Sequence, residues 1–393
     1  MIININDSEN MHQKLDILHI TQYDIHTLIG GIQKYVEELA NLQSINNNVT
    51  IFSCSNTLKG IYKHESIIHK RFGYFELFRT PISISMIIKF IRTKCDIVHI
   101  HAQFPITGEL IALIARLRRI PVIVSYHNEP HIFNSSLFTR IAYKIWRKVL
   151  FNILLYCSSS IIVTTEDYLN NSLLHGRYHL RDKIHIIPCG IHVSKFHNYH
   201  IKNRNDDNII LYVGRIKPEK GIHVLIESIY LLKQKGISTK LFIVGDSSRK
   251  DEKMYKQDLE MLINKFGIKD HIVFTGKVSD EELNKLYKNA TVLVLPSLNR
   301  LEGFGIVQLE AMANGLPIIV TDLPGPRAVS LESSIVVKPN DAYELCNAIS
   351  SLISNKTLWE ELSTNAVKNA LRYDWKIIYK EVMSVYNKVL ESI

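Results

Sequence analysis

A chain of 393 residues is too long for one core and implies two or three domains. A hydrophobic content of 46% excludes a disordered chain. The formal net charge of +9 calls for anionic partners, yet the basic residues are scattered without a long Lys/Arg block, so nucleic acid is not an expected partner.

Short apolar runs alternate with helical patterns along the chain. Asp16–Thr21 is the first expected strand, followed by the turn Gly30-Gly31. Beyond it Ile32, Tyr35, Val36, Leu39 and Ala40 repeat at helical spacing. Strands are then expected at Val49–Ser53, Asp96–His101, Val122–Tyr126, Ile161–Thr165 and Ile184–Ile187, and helices at Thr107–Arg118 and Phe138–Tyr156. The segment His192–Asp207 is polar and breaks the series. The alternation restarts with strands expected at Ile209–Val213, Leu241–Val244, Ile272–Phe274, Thr291–Leu295 and Ile318–Thr321. A mostly helical tail follows from Tyr343, with a break near Arg372–Asp374. The expected fold class is α/β: two doubly wound domains with parallel sheets, facing each other across a cleft. The boundaries are 1–195, a linker at 196–207, 208–372, and a last helix at 373–393 that packs back on the first domain.

The five cysteines stand at 54, 95, 157, 189 and 346, with no C-x-x-C pair and no zinc spacing. They fit a reducing compartment. The start, MIININDSENMHQKLD, has no apolar secretory core, and the most apolar segment, Val149–Val163, is short and interrupted. A cytoplasmic protein is expected, placed at the inner face of the cell membrane if it docks there.

The richest stretch runs from Pro296 through Glu302-Gly303-Phe304-Gly305 to Glu310 and Pro317. Residues 302–305 read as a strand-to-helix turn, where free backbone N–H groups attract phosphate. Gly303 and Gly305 permit close approach of a ligand. Glu310 is expected about two helical turns into the helix. Both carboxylates suit sugar or ribose hydroxyls better than phosphate. A solvated glutamate at an ordinary helix start is the plainer alternative. A second loop, Val213-Gly214-Arg215-Ile216-Lys217-Pro218-Glu219-Lys220-Gly221, places Arg215 and Lys220 at a strand's carboxyl end, where they can grip phosphate or merely face solvent.

These two motifs, with Val244-Gly245-Asp246, Phe274-Thr275-Gly276 and Glu310-Ala311-Met312-Ala313-Asn314-Gly315-Leu316-Pro317, resemble the retaining GT-B glycosyltransferases of family 4, the glycosyl transferases group 1. The resemblance is specific over Leu211–Thr321 and looser elsewhere. It implies two Rossmann-like domains and a nucleoside diphosphate sugar (UDP-, GDP- or ADP-linked) as co-substrate, with no cofactor and no metal. It implies that Arg215 and Lys220 hold the diphosphate beside Gly214. Glu302 would meet the sugar, Gly303, Phe304 and Gly305 would support sugar or phosphate through their backbone, Glu310 would take the ribose, and Val278 would lie at the base. Gly30 and Gly31 match the family's glycine loop. His127 matches its histidine near the reacting sugar and joins Glu302, Arg215 and Lys220 as a catalytic candidate. His101 and Glu129 are acceptor-side candidates, each with a structural alternative. The chain departs from the family pattern at Cys189 and His192, and at Leu323-Pro324-Gly325-Pro326-Arg327.

The acceptor is expected to be a saccharide or lipid-linked, in surface polysaccharide or glycolipid assembly. Aromatic and basic residues mix in Lys70–Arg79 and in Phe138–Tyr156, which suits a membrane surface. An epimerase or phosphorylase on the same fold, or a non-catalytic nucleotide-sugar sensor, are the competing readings.

Overall fold

The computed structural model describes residues 14–25, 30–77, 80–102, 105–129, 137–196, 207–247, 249–300 and 302–392. Most of the expected linker, 197–206, therefore lies outside the described residues.

The first half contributes β1 (Asp16–Ile20), β2 (Asn48–Cys54), β3 (Gly60–His64), β4 (Ile67–Phe72), β5 (Phe75–Leu77), β6 (Thr80–Ile82), β7 (Ile97–Ala102), β8 (Val122–Tyr126), β9 (Ser160–Val163) and β10 (Ile184–Ile186). Its helices are α1 (Gly31–Ser44), α2 (Ile84–Ile91), α3 (Thr107–Leu117), α4 (Leu137–Lys148), α5 (Leu150–Cys157) and α6 (Glu166–Asn170). The main sheet runs β10-β9-β8-β7-β1-β2-β4-β3, parallel except for the β3–β4 edge pair. Chain direction across the sheet reverses between β1 and β7, which opens a crevice at their carboxyl ends.

The second half contributes β11 (Ile209–Val213), β12 (Lys240–Val244), β13 (Ile272–Gly276), β14 (Val292–Leu295), β15 (Ile318–Thr321) and β16 (Ser334–Val337). Its helices are α7 (Ile222–Gln234), α8 (Lys250–Phe266), α9 (Asp280–Asn289), α10 (Val307–Ala313), α11 (Pro324–Ser330), α12 (Ala342–Ser354), α13 (Lys356–Leu371) and α14 (Trp375–Glu391). The sheet order β13-β12-β11-β14-β15-β16 is wholly parallel, with its reversal between β11 and β14. The architecture is GT-B: two doubly wound α/β layers facing across a cleft.

The central strands are buried along their whole length, which is why they read as continuous apolar runs. One apolar cluster crosses the cleft, joining Tyr35 and Leu39 of α1, Phe304, Met312 of α10, and Trp375, Val382 and Tyr386 of α14. Helix α14 thus lies on the first domain's core although it ends the chain. The Cys189 to His192 stretch is fastened to it: Ile191 and Asp374 form a bridge, and Gly190 lies so close to the Trp375 ring that a Cβ would collide.

Three expectations needed correction. The helix expected over Phe138–Tyr156 is two helices, because α5 turns Phe151, Leu154 and Leu155 inward while α4 leaves its apolar stripe outside. Asn152 Nδ2 donates to the Lys148 carbonyl (2.7 Å), satisfying the end of α4. The tail breaks also at Asn355, whose side chain accepts from Leu358 N (3.0 Å) and starts α13. Lys70–Arg71 is not a free basic surface: Arg71 pairs with buried Asp24, and Lys70 lies 5.5 Å from the Phe52 ring centre. Phe78 and Arg79 of that segment lie outside the described residues.

Candidate active site

The candidate residues gather at the two sheet reversals. Gly214 and Arg215 follow β11, and Glu302 to Gly305 follow β14. Opposite them, His101 is in β7, His127 follows β8, and Gly30-Gly31 open α1. The halves touch here. A Cβ on Gly303 would collide with the carbonyl of His127, and a Cβ on Gly31 would sit 3.3 Å from Ile306 Cδ1. Glycine at 303 is therefore required by the opposite domain, independently of any ligand. Gly305 is held at φ 77°, where glycine is favoured.

The turn differs from expectation in one respect. Residues 302–305 are not helical, α10 begins at Val307, and Glu310 lies in its first turn rather than two turns inside. Phe304 points into the core against Tyr373 (ring centres 6.0 Å apart), so only its backbone faces the turn.

Lys220 Nζ donates to Glu302 Oε2, which also accepts from Ser297 Oγ (3.3 Å). This pairing brings the β11 loop onto the β14 turn. Gly221 makes it possible: at φ 67° it packs directly on the Pro296 carbonyl, leaving no room for a Cβ. Arg215 takes a different partner. Its guanidinium pairs with Glu252 of α8, a carboxylate 1% exposed, and Lys217 Nζ lies 3.8 Å from the same group. Burial, then the neighbouring Arg215, lowers the Lys217 pKa. Gly214 (φ 155°) lies under Gly245, whose own Cβ would strike the Gly214 carbonyl, so the loops after β11 and β12 are in backbone contact.

Across the cleft, Lys34 of α1 pairs with Glu310 Oε1, and Tyr287 of α9 donates to Glu310 Oε2 (2.8 Å). Burial opposes the charge on Lys34, but Glu310, together with Asp280 and Glu38, more than offsets it and the lysine pKa is raised. A cavity of about 300 Å³ begins at this pair and runs past Tyr35 and Asn284 to His192 and Trp375. Of the sequence-derived site residues, Glu310 alone lines it. Val278 packs on the core joining the domains, just before α9.

His127 Nε2 lies 3.1 Å from His101 Nδ1, and His101 Nε2 lies 2.9 Å from His19 Nδ1. Burial pushes the His127 pKa down to about 4 and that of His101 well below its usual value. Both rings are therefore neutral near pH 7. Glu129 is occupied structurally: its Oε1 accepts from Tyr126 OH (3.1 Å) and from the Leu173 backbone N–H. Arg327 is held by carboxylates of both domains. It forms a two-pronged pair with Asp167 of α6 (2.6 and 2.8 Å) and a further bond to Asp322 (2.6 Å), fastening the two domains at the far side of the turn.

Sequence reasoning missed Lys34, Glu252, Tyr287 and Asp167. Lys34 did leave a signal, since a cation in the first turn of a helix opposes the helix dipole and needs another reason to be there. The others are ordinary helix residues whose partners lie far away in sequence.

Residues 29–195 match Glycosyltransferase Family 4, and residues 195–372 match Glycosyl transferases group 1. The capsular polysaccharide biosynthesis glycosyltransferase CapM of Staphylococcus aureus is 25% identical over 97% of this chain and 94% of its own. A GDP-mannose:cellobiosyl-diphosphopolyprenol alpha-mannosyltransferase of Xanthomonas campestris is 24% identical over 96% of this chain and 97% of its own. Among solved structures, Anabaena HepE in complex with UDP and glucose superimposes with a TM-score of 0.75 at 18% identity, covering 95% of this chain and 99% of that one. With both halves matched and the two-domain fold in place, the chain belongs to the group 1 glycosyltransferases.

Proposed function

We propose that the protein transfers a sugar from a nucleoside diphosphate sugar to an acceptor hydroxyl with retention of anomeric configuration and without a metal ion, in the assembly of a surface polysaccharide or glycolipid. The observation that carries this is the Lys220–Glu302 pair at the β14 turn. It puts an ammonium group and a carboxylate beside the backbone of Gly303–Gly305. The ammonium suits a diphosphate and the carboxylate suits sugar hydroxyls. Lys220 would leave Glu302 for the phosphate when the donor binds, freeing the carboxylate for the sugar. Arg215, positioned by Glu252, adds the second cation.

In this reading the bond between the anomeric carbon and the β-phosphate oxygen breaks, and the acceptor oxygen bonds to that carbon on the same face. The acceptor proton passes to the departing β-phosphate oxygen. Fixed cations stabilise the charge that develops there. Glu310 takes the ribose diol through the lone pairs that Lys34 and Tyr287 leave open, and Val278 borders the base. The closed cleft keeps water from the donor.

The acceptor is lipid-linked in this proposal, and the first domain rests on an anionic membrane surface. The names of the capsular and diphosphopolyprenol-dependent relatives agree with this. So do the outer faces of α2, α3 and α4, described below. A thermal-shift series with UDP, GDP, ADP and their sugars tests the donor site. One nucleotide class should raise the melting temperature, and the rise should vanish in Lys220→Ala. No stabilisation by any of them would remove the proposal.

A further inference from the structure

His19, His101 and His127 form a hydrogen-bonded line across β1, β7 and the end of β8, all buried. Its inner end is Gln43 of α1: His19 Nε2 lies 2.7 Å from Gln43 Oε1. The glutamine is oriented in turn by its amide nitrogen, which donates to Met383 Sδ of α14 (3.7 Å). Burial brings His19 and His127 to a pKa of about 4, so the line is neutral at pH 7. A neutral imidazole has one donor nitrogen and one acceptor nitrogen, so a single anchor sets the direction of the whole line. Gln43 Oε1 can only accept. His19 then donates through Nε2 and accepts at Nδ1, His101 donates to it through Nε2, and His127 donates to His101 through Nε2. The last acceptor, His127 Nδ1, has no hydrogen-bond partner among the described residues, and the residue keeps 7% of its surface exposed.

We propose that Gln43 is a positioning residue: through His19 and His101 it holds His127 as the Nε2–H tautomer, so that Nδ1 faces the cleft as a hydrogen-bond acceptor. The consequence for substrate rests on the reading that the donor sugar lies beside His127. That group accepts from a hydroxyl and repels another acceptor, so it selects a neutral sugar with a hydroxyl at this place over a uronate. The same region offers a competing use, because ring nitrogens of His19, His99 and His101 come within 4.8 Å of one another, close enough for a metal ion. Yet both nitrogens of each ring are already engaged, those of His99 by Tyr386 OH (2.6 Å) and Ser125 Oγ (2.7 Å). A cation would have to break these bonds.

Long-range proton–nitrogen correlation spectra of the full chain, labelled with nitrogen-15 histidine, read each tautomer directly, and His127→Asn assigns the His127 signals. The expected result is Nε2–H for His19, His101 and His127 at pH 7. Gln43→Met should give mixed tautomers at His127 and lower kcat about tenfold, the scale of one misdirected hydrogen bond. Gln43→Glu, which as an ionised carboxylate accepts at the place of Oε1, should restore the single tautomer. An imidazolium or Nδ1–H form of His127 in the wild type overturns the proposal. So does an unchanged spectrum in Gln43→Met, or one tightly held zinc ion per chain. Adding the donor sugar should shift His127 Nδ1. If the tautomers are as stated but that nitrogen does not respond, the placement of the sugar is wrong and the histidine line stands.

Discussion

Lys34 and Glu310, 276 residues apart, form an ion pair that bridges the two domains inside the cleft. Glu310 is 6% exposed and engages both carboxylate oxygens, one with Lys34 and the other with Tyr287. A carboxylate has about four lone-pair positions, so two remain for a ribose diol. Glu310→Gln should weaken nucleoside diphosphate binding roughly 10- to 100-fold, the loss expected for charge-assisted hydrogen bonds of about 1.5–3 kcal/mol. Titration calorimetry measures this directly, and unaltered affinity in a folded variant would remove Glu310 from the nucleotide site.

Lys220 and Glu302 should fail differently. Lys220→Ala removes a group assigned to the departing diphosphate and should cut kcat at least ~100-fold. Glu302→Gln keeps the shape of the turn but releases Lys220 and weakens the grip on sugar hydroxyls. It should disable transfer while leaving the free nucleoside diphosphate bound. Full activity of either variant, with a native melting curve, is the result that contradicts these roles.

The fold was legible because parallel strands buried on both faces leave continuous apolar runs, and each is followed by a helical pattern. Strands β3, β4, β5, β6 and β16 were not legible. Each lies at or next to the edge of its sheet, and all but β6 have exposed positions. At the site, the turns were visible through Gly303, Gly305 and Gly221, since backbone demands mark the local sequence. The partners were not. Glu252 reaches Arg215 across 37 positions and Lys34 reaches Glu310 across 276, and nothing local records such a pairing.

The buried histidines predict a steep loss of stability in acid. Burial lowers the pKa of His19 and His127 to about 4, and lowers those of His99 and His101 well below the usual value. The unfolded chain titrates them near 6.5 and so binds more protons than the folded one as pH falls below that point. Stability is therefore full above about pH 6.5 and drops from there downward, by about 1.4 kcal/mol per pH unit for each histidine. Glu109 acts in the opposite direction. Burial raises its pKa to about 7, so the folded state holds a proton that the unfolded chain releases. Unfolding at pH 5.5 should take up a net of roughly three protons from these groups. Calorimetry in buffers of different ionisation enthalpy gives that number, and uptake of one proton or fewer would contradict the neutral histidine line.

The outer surface of the first domain sets the last test. Among the described residues no helix is long and apolar enough to cross a membrane. Helix α3 packs against α2 and α5, and α5 against α4, and each of α2, α3 and α4 turns apolar side chains outward. Ile84, Ile88 and Ile91 form a stripe on α2, Leu110, Leu113 and Leu117 on α3, and Phe138, Ile141 and Ile145 on α4, with Leu117 and Phe138 each 77% exposed. Neither α2 nor α4 carries an acidic residue, and α4 adds Arg140, Lys144, Arg147 and Lys148. Glu109 of α3 is buried, so the exposed charges of these three helices are all cationic. Apolar stripes of this kind match a bilayer with anionic headgroups, which contributes about 1 kcal/mol for each basic side chain near its surface. The protein should co-sediment with phosphatidylglycerol-containing vesicles at low salt and much less at high salt, while neutral vesicles bind weakly. Ile88→Glu with Phe138→Glu should abolish binding while leaving transfer to a short water-soluble acceptor intact. If that double variant still sediments with the vesicles, the surface lies elsewhere, and if the wild type never does, the acceptor reaches the cleft from solution.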